Sequence, residues 1–258
     1  SAASDVYKRQ VIITPANKVD EIKKLVIRIV NIEEFSTILT LNDISPVEAS
    51  GAPVFNTNPY LKLNGRGVLV GVIDTGIDYT HPAFRNSDGT TRIEYIYDLN
   101  NGGKVYNKTQ INEALKLTDP YSMVNSTDVT GHGTHVVGIA CAGGEIDKQY
   151  YGVAPESSIA MVKVSRSRFA LSTQIMKGIK FLIDKGKELN MPLAINMSLS
   201  TNDGAHNGSS LLEQYISTVS AIERVTIVIA AGNEGEAAHH VGRTLEEIND
   251  VYLSLIHI

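Results

Sequence analysis

The sequence predicts an α/β fold in which a mostly parallel central sheet carries helices on both faces. Short β-branched runs that are apolar on both faces are typical of central parallel strands. These runs alternate with segments of helical periodicity, and such alternation favours right-handed crossovers around a parallel sheet. The chain has 258 residues, 43% of them hydrophobic, which is enough for one large domain of this kind or two small ones.

Composition excludes several classes of function. The net charge is −5 and no basic run or patch is present, so nucleic acid is not expected as a partner. The single cysteine, Cys141, excludes an internal disulfide and a multi-cysteine metal site, and its apolar neighbours predict a small buried side chain rather than a nucleophile. No apolar run approaches the roughly 20 residues that a membrane span needs.

The two ends of the chain differ from its middle. Residues 1–10 lack an initiator Met and a signal-peptide pattern, and residues 254–258 form an apolar tail. We expect both to be non-native flanks. Residues 11–60 are expected to form an N-terminal extension and linker, and residues 61–253 the main domain.

Within the extension, Val19 to Val30 is compatible with a short helix or a strand. Leu39 to Tyr60 contains Pro46, Pro53 and Pro59 and is predicted to be an extended linker on the surface.

The first central strand is predicted over Val68 to Ile73, and Asp74 follows it directly. A carboxylate at this point lies at the carboxyl edge of the sheet, where ligand sites form in open α/β folds. A turn or helix-capping role is the alternative for an Asp in this position.

The later elements follow from the same patterns. His81 to Phe84 is expected to be a loop or short turn. Thr109 and Ser172 are candidate N-caps. Further strands are predicted over Arg92–Leu99, Ile159–Val164, Leu193–Met197 and Val225–Ala230, and helices over Thr109–Lys116, Thr173–Asn190 and Ser210–Arg224.

The stretch from Gly131 to Ala140 predicts a buried helix that begins at a glycine turn. His132 lies at the start of this helix, where its ring can face a cleft while its backbone is held rigidly. That position suits a general base. A core histidine or a lone metal ligand is the alternative for the motif taken alone.

Three polar residues stand at the ends of predicted elements: Asp74, His132 and Asn233. In hydrolysis by an activated serine, an Asp fixes the tautomer of a His, and the His takes the proton of the serine hydroxyl. A side-chain amide can donate to the oxyanion that develops on the attacked carbonyl. The order Asp, then His, with the serine still to come, is that of the subtilisin arrangement.

These residues resemble the motifs of the subtilase family of serine proteases. Val72-Ile73-Asp74-Thr75-Gly76-Ile77 resembles its Asp motif, Gly131-His132-Gly133-Thr134-His135-Val136 its His motif, and Ala230-Ala231-Gly232-Asn233 its oxyanion-hole motif. The resemblance covers about Leu61 to His240. It implies the subtilisin-like three-layer fold, truncated at the C-terminus, and an extension over residues 11–60 that is a propeptide remnant or part of the mature enzyme.

The resemblance also implies roles for individual residues. Asp74 and His132 would be two members of the catalytic triad, and Asn233 the oxyanion donor. Asn196-Met197-Ser198-Leu199 is similar to the strand that lines the S1 pocket, so Ser198, Leu199 and Ser200 are candidate substrate-binding residues. Ser200 departs from the family, which usually has glycine there.

A second departure concerns the nucleophile. The Gly-Thr-Ser motif of the family is absent after Asn233, and the one later serine, Ser254, lies in the C-terminal flank. We therefore expect the nucleophilic serine beyond residue 258 and no peptidase activity in the 258-residue chain itself.

A narrower resemblance concerns His81 to Ile93, Asn202 to His206 and Gly235 to His240, which are similar to clostridial subtilases of the spore-germination type. That group includes members that lost triad residues and act as regulators. A non-catalytic homologue that binds a protein partner is therefore the alternative to an endopeptidase acting on protein or peptide substrates. An extracytoplasmic location (secreted, cell-envelope or spore-associated) is expected.

No cofactor is expected to be required. Calcium is a candidate structural ion, with Asp78 and Asp128 as candidate ligands or supports, although no acidic loop resembles a calcium motif. His135 is expected to be structural, and His239-His240 to lie in a solvated loop. A nucleotide-binding α/β protein is a weaker hypothesis because Gly71 to Gly76 lacks the glycine spacing that cradles a pyrophosphate.

Overall fold

The computed structural model describes residues 38–41, 50–165, 169–201, 204 and 207–232. The strands of its main sheet are β2 (Leu69–Asp74), β3 (Ile93–Asp98), β4 (Lys104–Asn107), β5 (Ser158–Lys163), β7 (Leu193–Met197) and β9 (Thr226–Ile229). They lie in the order β4-β3-β5-β2-β7-β9. All neighbours in this order are parallel except β4, which pairs antiparallel with β3 at one edge.

Helices cover both faces of this sheet, as the sequence predicts. A short helix, α1 (Pro53–Thr57), comes first in the chain. On one face lie α2 (Lys108–Ala114) and α3 (His132–Cys141), and on the other α4 (Ser172–Glu188) and α5 (Leu211–Glu223). Side chains alternate along β2, so Val72 joins the core beneath α3 while Leu69 and Ile73 join the core beneath α4 and α5. Cys141 is buried and free, which confirms the prediction for its side chain.

A second, antiparallel sheet consists of β1 (Ile38–Leu41), β6 (Phe169–Leu171) and β8 (Leu199–Ser200). Its strand order is β6-β1-β8. Most of the central strand, β1, comes from the segment predicted to be an extended surface linker, and it pairs with two strands instead of linking elements. Residues 53–57 of the same segment are helical rather than extended. Pairing with distant strands decides the structure of β1, and composition does not carry that information.

Two predicted helix starts are corrected. Helix α2 begins at Lys108 with Asn107 as its N-cap, because the Asn107 side chain and Gln110 form a reciprocal capping box. Thr109 is therefore inside the helix. Ser172 is the first residue of α4 rather than its cap.

Residues 82–84 form a short 3₁₀ helix where a loop or turn was expected. Within the part of the chain that the structure describes, no helix combines the length and the hydrophobicity that crossing a membrane requires.

Candidate active site

The site lies at the carboxyl edge of the main sheet. Asp74 is the last residue of the central strand β2 and is fully buried. Its neighbours in register across the parallel ladders are Lys163 on β5 and then Asp98 on β3. All three side chains are buried. The strands are otherwise mainly apolar in the core, so these residues form a row of buried ionisable groups along one edge of the sheet. The row was not predicted, because it depends on strand register.

His132 is brought to this edge by a close approach of helix α3. Gly131 caps the helix in the left-handed conformation with a φ of 77°, which glycine adopts without strain. The next residue, Gly133, packs against the loop after β2, where the backbone N–H of Gly133 donates to the Thr75 hydroxyl at 2.9 Å. The glycines on either side of His132 thus allow the helix start to sit directly on the strand end.

The two predicted residues, Asp74 and His132, form a hydrogen-bonded pair. His132 Nδ1 lies 2.8 Å from Asp74 Oδ1, and the exposed fraction of the side chains is 15% for His132 and 0% for Asp74. Oδ1 also accepts a hydrogen bond from the backbone N–H of Thr75 at 2.7 Å. A buried carboxylate in this position orients the imidazole and favours the tautomer that carries its proton on Nδ1.

The chemical consequence concerns the opposite ring nitrogen. With the proton held on Nδ1, the acceptor lone pair of the neutral imidazole lies on Nε2, and the side chain of His132 is 15% exposed. Such an imidazole can accept a proton from a nucleophile and return it to a leaving group.

The residues predicted to contact substrate lie next to the small sheet. Ser198 and Leu199 are buried, and Ser200 is partly buried. Leu199 and Ser200 form β8, which pairs antiparallel with β1 in the register Leu41–Leu199 and Thr40–Ser200. Asn196 donates to the Ser198 hydroxyl at 3.0 Å, which fixes the segment between β7 and β8.

The remaining residues singled out in the sequence fall elsewhere. His135 is exposed on α3. The predicted oxyanion donor Asn233 and the pair His239-His240 lie outside the described residues.

The carboxylates of the candidate calcium ligands accept hydrogen bonds within the protein. Asp78 accepts from the Thr80 and Tyr121 hydroxyls at 2.6 and 2.9 Å. Asp128 accepts from Thr75 and Thr134. Among the described residues, no group of three or more His, Cys, Asp or Glu side chains could hold a metal ion.

Known proteins resemble this chain over the region that contains Asp74 and His132. The model of the subtilase family matches residues 65–250. Subtilisin of Bacillus sp. (strain TA39) is 30% identical over 193 residues, which are 74% of this chain and 40% of that protein. Serine protease AprX of Bacillus subtilis (strain 168) is 32% identical over 181 residues, or 67% of this chain and 34% of AprX.

A solved structure gives the same result for the fold. The Clostridium perfringens CspB protease superposes with a TM-score of 0.73 at 58% identity, over 78% of this chain and 44% of that one. This chain spans less than half the length of each of these three proteins. The match of the family model to most of the chain, the shared fold and the juxtaposition of Asp74 with His132 show that the chain belongs to the subtilase family of serine proteases.

Proposed function

We propose that the protein to which this chain belongs is a serine endopeptidase that uses Asp74, His132 and a serine beyond residue 258. The hydrogen bond of 2.8 Å between His132 Nδ1 and the buried Asp74 Oδ1 carries the proposal. In the proposed reaction, Nε2 of His132 accepts the proton of the serine hydroxyl as the oxygen attacks the peptide carbonyl. The same nitrogen then returns the proton to the leaving amine, while Asp74 stabilises the imidazolium.

Strand β9 is the last strand of the main sheet in the described part of the chain, and its Val228 and Ile229 are 54% and 48% exposed. Asn233 follows this strand shortly after its carboxyl end, and it is the proposed donor to the oxyanion.

We further propose that the substrate backbone binds as a strand between β6 and β8. An extended peptide can pair with exposed strand edges, and its main-chain hydrogen bonds then supply affinity. Strand β1 takes this arrangement within the chain, antiparallel to both β6 and β8. By this proposal, Ser198 to Ser200 contact the substrate, and residues 11–60 include a propeptide remnant whose residues 38–41 fill the substrate groove.

A fluorophosphonate probe tests the proposed chemistry, because it labels only an activated serine. The full-length protein should be labelled and should cleave peptides, and the 258-residue chain should not be labelled. His132→Ala should abolish both signals in the full-length protein. His135→Ala is the matched control, since His135 is exposed one turn further along the same helix. Cleavage that survives His132→Ala would refute the assignment of the base.

A non-catalytic homologue that binds a protein partner is the second candidate function. The observation that favours it is the position of β1 between β6 and β8, since a strand can be bound there without being cleaved. A labelled peptide with the sequence of residues 36–43 should bind the Thr40→Pro variant more tightly than the unaltered chain, because proline disrupts a central strand. Binding without cleavage or probe labelling of the full-length protein would favour this second function.

The proposed chemistry requires no cofactor, because the acid–base and nucleophilic groups are side chains. An extracytoplasmic location is proposed by analogy with Minor extracellular protease Vpr of Bacillus subtilis, which is 27% identical over 215 residues, or 82% of this chain and 23% of Vpr. Protein or peptide is the proposed substrate class.

A further inference from the structure

The segment that leads into helix α3 is tethered at three consecutive residues, Ser126 to Asp128, which we name the bracing loop. The Ser126 hydroxyl donates to Asp98 Oδ2 at 2.7 Å. The ammonium group of the buried Lys163 donates a hydrogen bond to the carbonyl of Thr127. Two of these anchors, Asp98 and Lys163, belong to the charged row that ends at Asp74. The loop is therefore attached to the same strand ends that carry the candidate site.

Asp128 makes the third attachment with both of its carboxylate oxygens. Oδ1 accepts from the hydroxyl of Thr75 at 2.8 Å. Oδ2 accepts from the backbone N–H of Thr134 at 2.8 Å and from the Thr134 hydroxyl at 2.7 Å. One side chain thus joins the residue that follows Asp74 to the first turn of the helix that carries His132.

The two threonines extend this link in both directions. Thr75 Oγ1 accepts from the backbone N–H of Gly133 at 2.9 Å, and Thr134 Oγ1 accepts from the backbone N–H of Asp78 at 2.9 Å. Each hydroxyl donates to Asp128 and accepts from the opposite element. The Thr130 hydroxyl is a fourth donor, at 3.2 Å from Oδ1. A carboxylate suits this position because both of its oxygens accept hydrogen bonds and neither carries a proton.

We propose that Asp128 is a positioning residue that sets the geometry between Asp74 and His132. It lies between the strand end that fixes the first of these residues and the helix start that fixes the second. A misplacement of about 1 Å in a catalytic pair can cost on the order of 10²-fold in rate. The consequence for rate rests on the proposed peptidase function, whereas the consequence for the hydrogen bond between Asp74 and His132 does not.

The kinetic test uses Asp128→Asn in the full-length protein. Asn has the shape of Asp, but its amide nitrogen cannot accept a hydrogen bond, so one of the two attachments is lost. We expect kcat to fall roughly tenfold to hundredfold, with KM changed by less than about threefold, because the substrate groove is built from other strands.

The matched control is Asp88→Asn. Asp88 accepts from the backbone N–H and the hydroxyl of Thr90 at 2.9 and 2.6 Å, which is the same local pattern that Asp128 forms with Thr134. Asp88 is exposed, and its contact is confined to one turn. This variant should retain the kcat of the unaltered protein.

A spectroscopic test in the 258-residue chain needs no serine. The imidazole Nδ1 proton of His132, hydrogen-bonded to a buried carboxylate, should give a far-downfield proton resonance that is identified by its loss in His132→Ala. The resonance should persist in Asp88→Asn and should shift upfield or disappear in Asp128→Asn. If the full-length protein proves inactive, this measurement still decides the positioning role. An unchanged resonance in Asp128→Asn would overturn the proposal.

A second pair of variants decides the matter if Asp128→Asn does not fold. Thr134→Val removes the hydroxyl that contacts Asp128 and keeps the branched shape, whereas Thr134→Ser keeps the hydroxyl. The valine variant should lose the resonance and the serine variant should retain it. Identical spectra from the two variants would contradict the role of this contact.

Discussion

Gly133 packs directly on the carbonyl oxygen of Gly76: a methyl group added at Gly133 would lie 2.2 Å from that oxygen and 3.1 Å from Asp74 Oδ1. No side chain fits at such distances, so the backbone of helix α3 or of the loop after β2 would have to move. The absence of a side chain at Gly133 therefore permits His132 and Asp74 to lie within hydrogen-bonding distance.

Gly133→Ala should reduce the free energy of unfolding of the 258-residue chain by about 1–3 kcal/mol, as overpacking against backbone does. Urea denaturation measures this quantity. Gly138→Ala is the control on the same helix, because a methyl group there meets nothing within 4 Å. That change should be neutral or stabilising by up to about 1 kcal/mol, since alanine favours a helix interior. Equal effects of the two substitutions would contradict this explanation.

Asp74→Asn in the full-length protein should lower kcat on the order of 10⁴-fold, because an amide facing Nδ1 no longer fixes the required tautomer. Steady-state cleavage of a peptide substrate measures the loss. Asp78→Asn is a matched change in the same loop, where Asp78 contacts Thr80 and Tyr121. It should leave kcat within about threefold, and a comparable loss in both variants would argue against a specific role for Asp74.

The sequence singled out Asp74 and His132, which the structure brings together, but it did not single out the charged residues beside them. Asp74 follows an apolar run whose strand character is unambiguous, and His132 follows a glycine that starts a buried helix. By contrast, Lys163 and Asp98 are charged residues at strand ends that resemble exposed positions until the register aligns them with Asp74. Their roles depend on pairing between distant segments, which periodicity does not encode.

The errors at the start of α2 and at strand β1 have different origins. The start of α2 could have been found, because Asn107 and Gln110 stand at the spacing of a capping box. Strand β1 could not, because its partners lie at residues 169–171 and 199–200, far along the chain.

Arg92 contacts the C-terminal end of helix α3, and its replacement should lower the free energy of unfolding. The buried guanidinium donates to the carbonyls of Ala83, Cys141 and Ser157. Arg92→Lys keeps the charge, but a single ammonium cannot reproduce the planar fork that serves three carbonyls. Loss of these bonds should reduce the free energy of unfolding by about 3 kcal/mol, at about 1–3 kcal/mol for each buried carbonyl left unpaired.

The control for Arg92 is the same substitution at an exposed position. Arg66 pairs with Glu156, and 84% of the Arg66 side chain is exposed. Arg66→Lys should leave the free energy of unfolding almost unchanged, as is usual for exposed ion pairs. Urea denaturation of both variants separates the two cases, and a small effect at Arg92 would show that the carbonyls find other donors.

Cys141 should make stability depend on pH in the alkaline range. Burial raises the pKa of the Cys141 thiol from 9.0 to about 11, against the opposing effects of a hydrogen bond with Ser157 and the charge of Arg92. Below pH 9 the thiol is neutral in both the folded and the unfolded chain, so its contribution to stability is fully present. Between about pH 9 and pH 11 the unfolded chain loses this proton while the folded chain retains it, so stability falls.

The pKa shift of Cys141 sets the size of this pH dependence, and a comparison with Cys141→Ala separates it from other titrations. Two pKa units correspond to at most about 3 kcal/mol. Tyrosines and lysines titrate in the same range, but they are common to the unaltered chain and to Cys141→Ala. The difference between the free energies of unfolding of these two proteins should therefore be constant up to about pH 9. It should then shift in favour of Cys141→Ala as the pH approaches 11, because only the unaltered chain must keep a neutral thiol buried. A difference that stays constant across the whole range would mean that the thiol ionises equally in the two states.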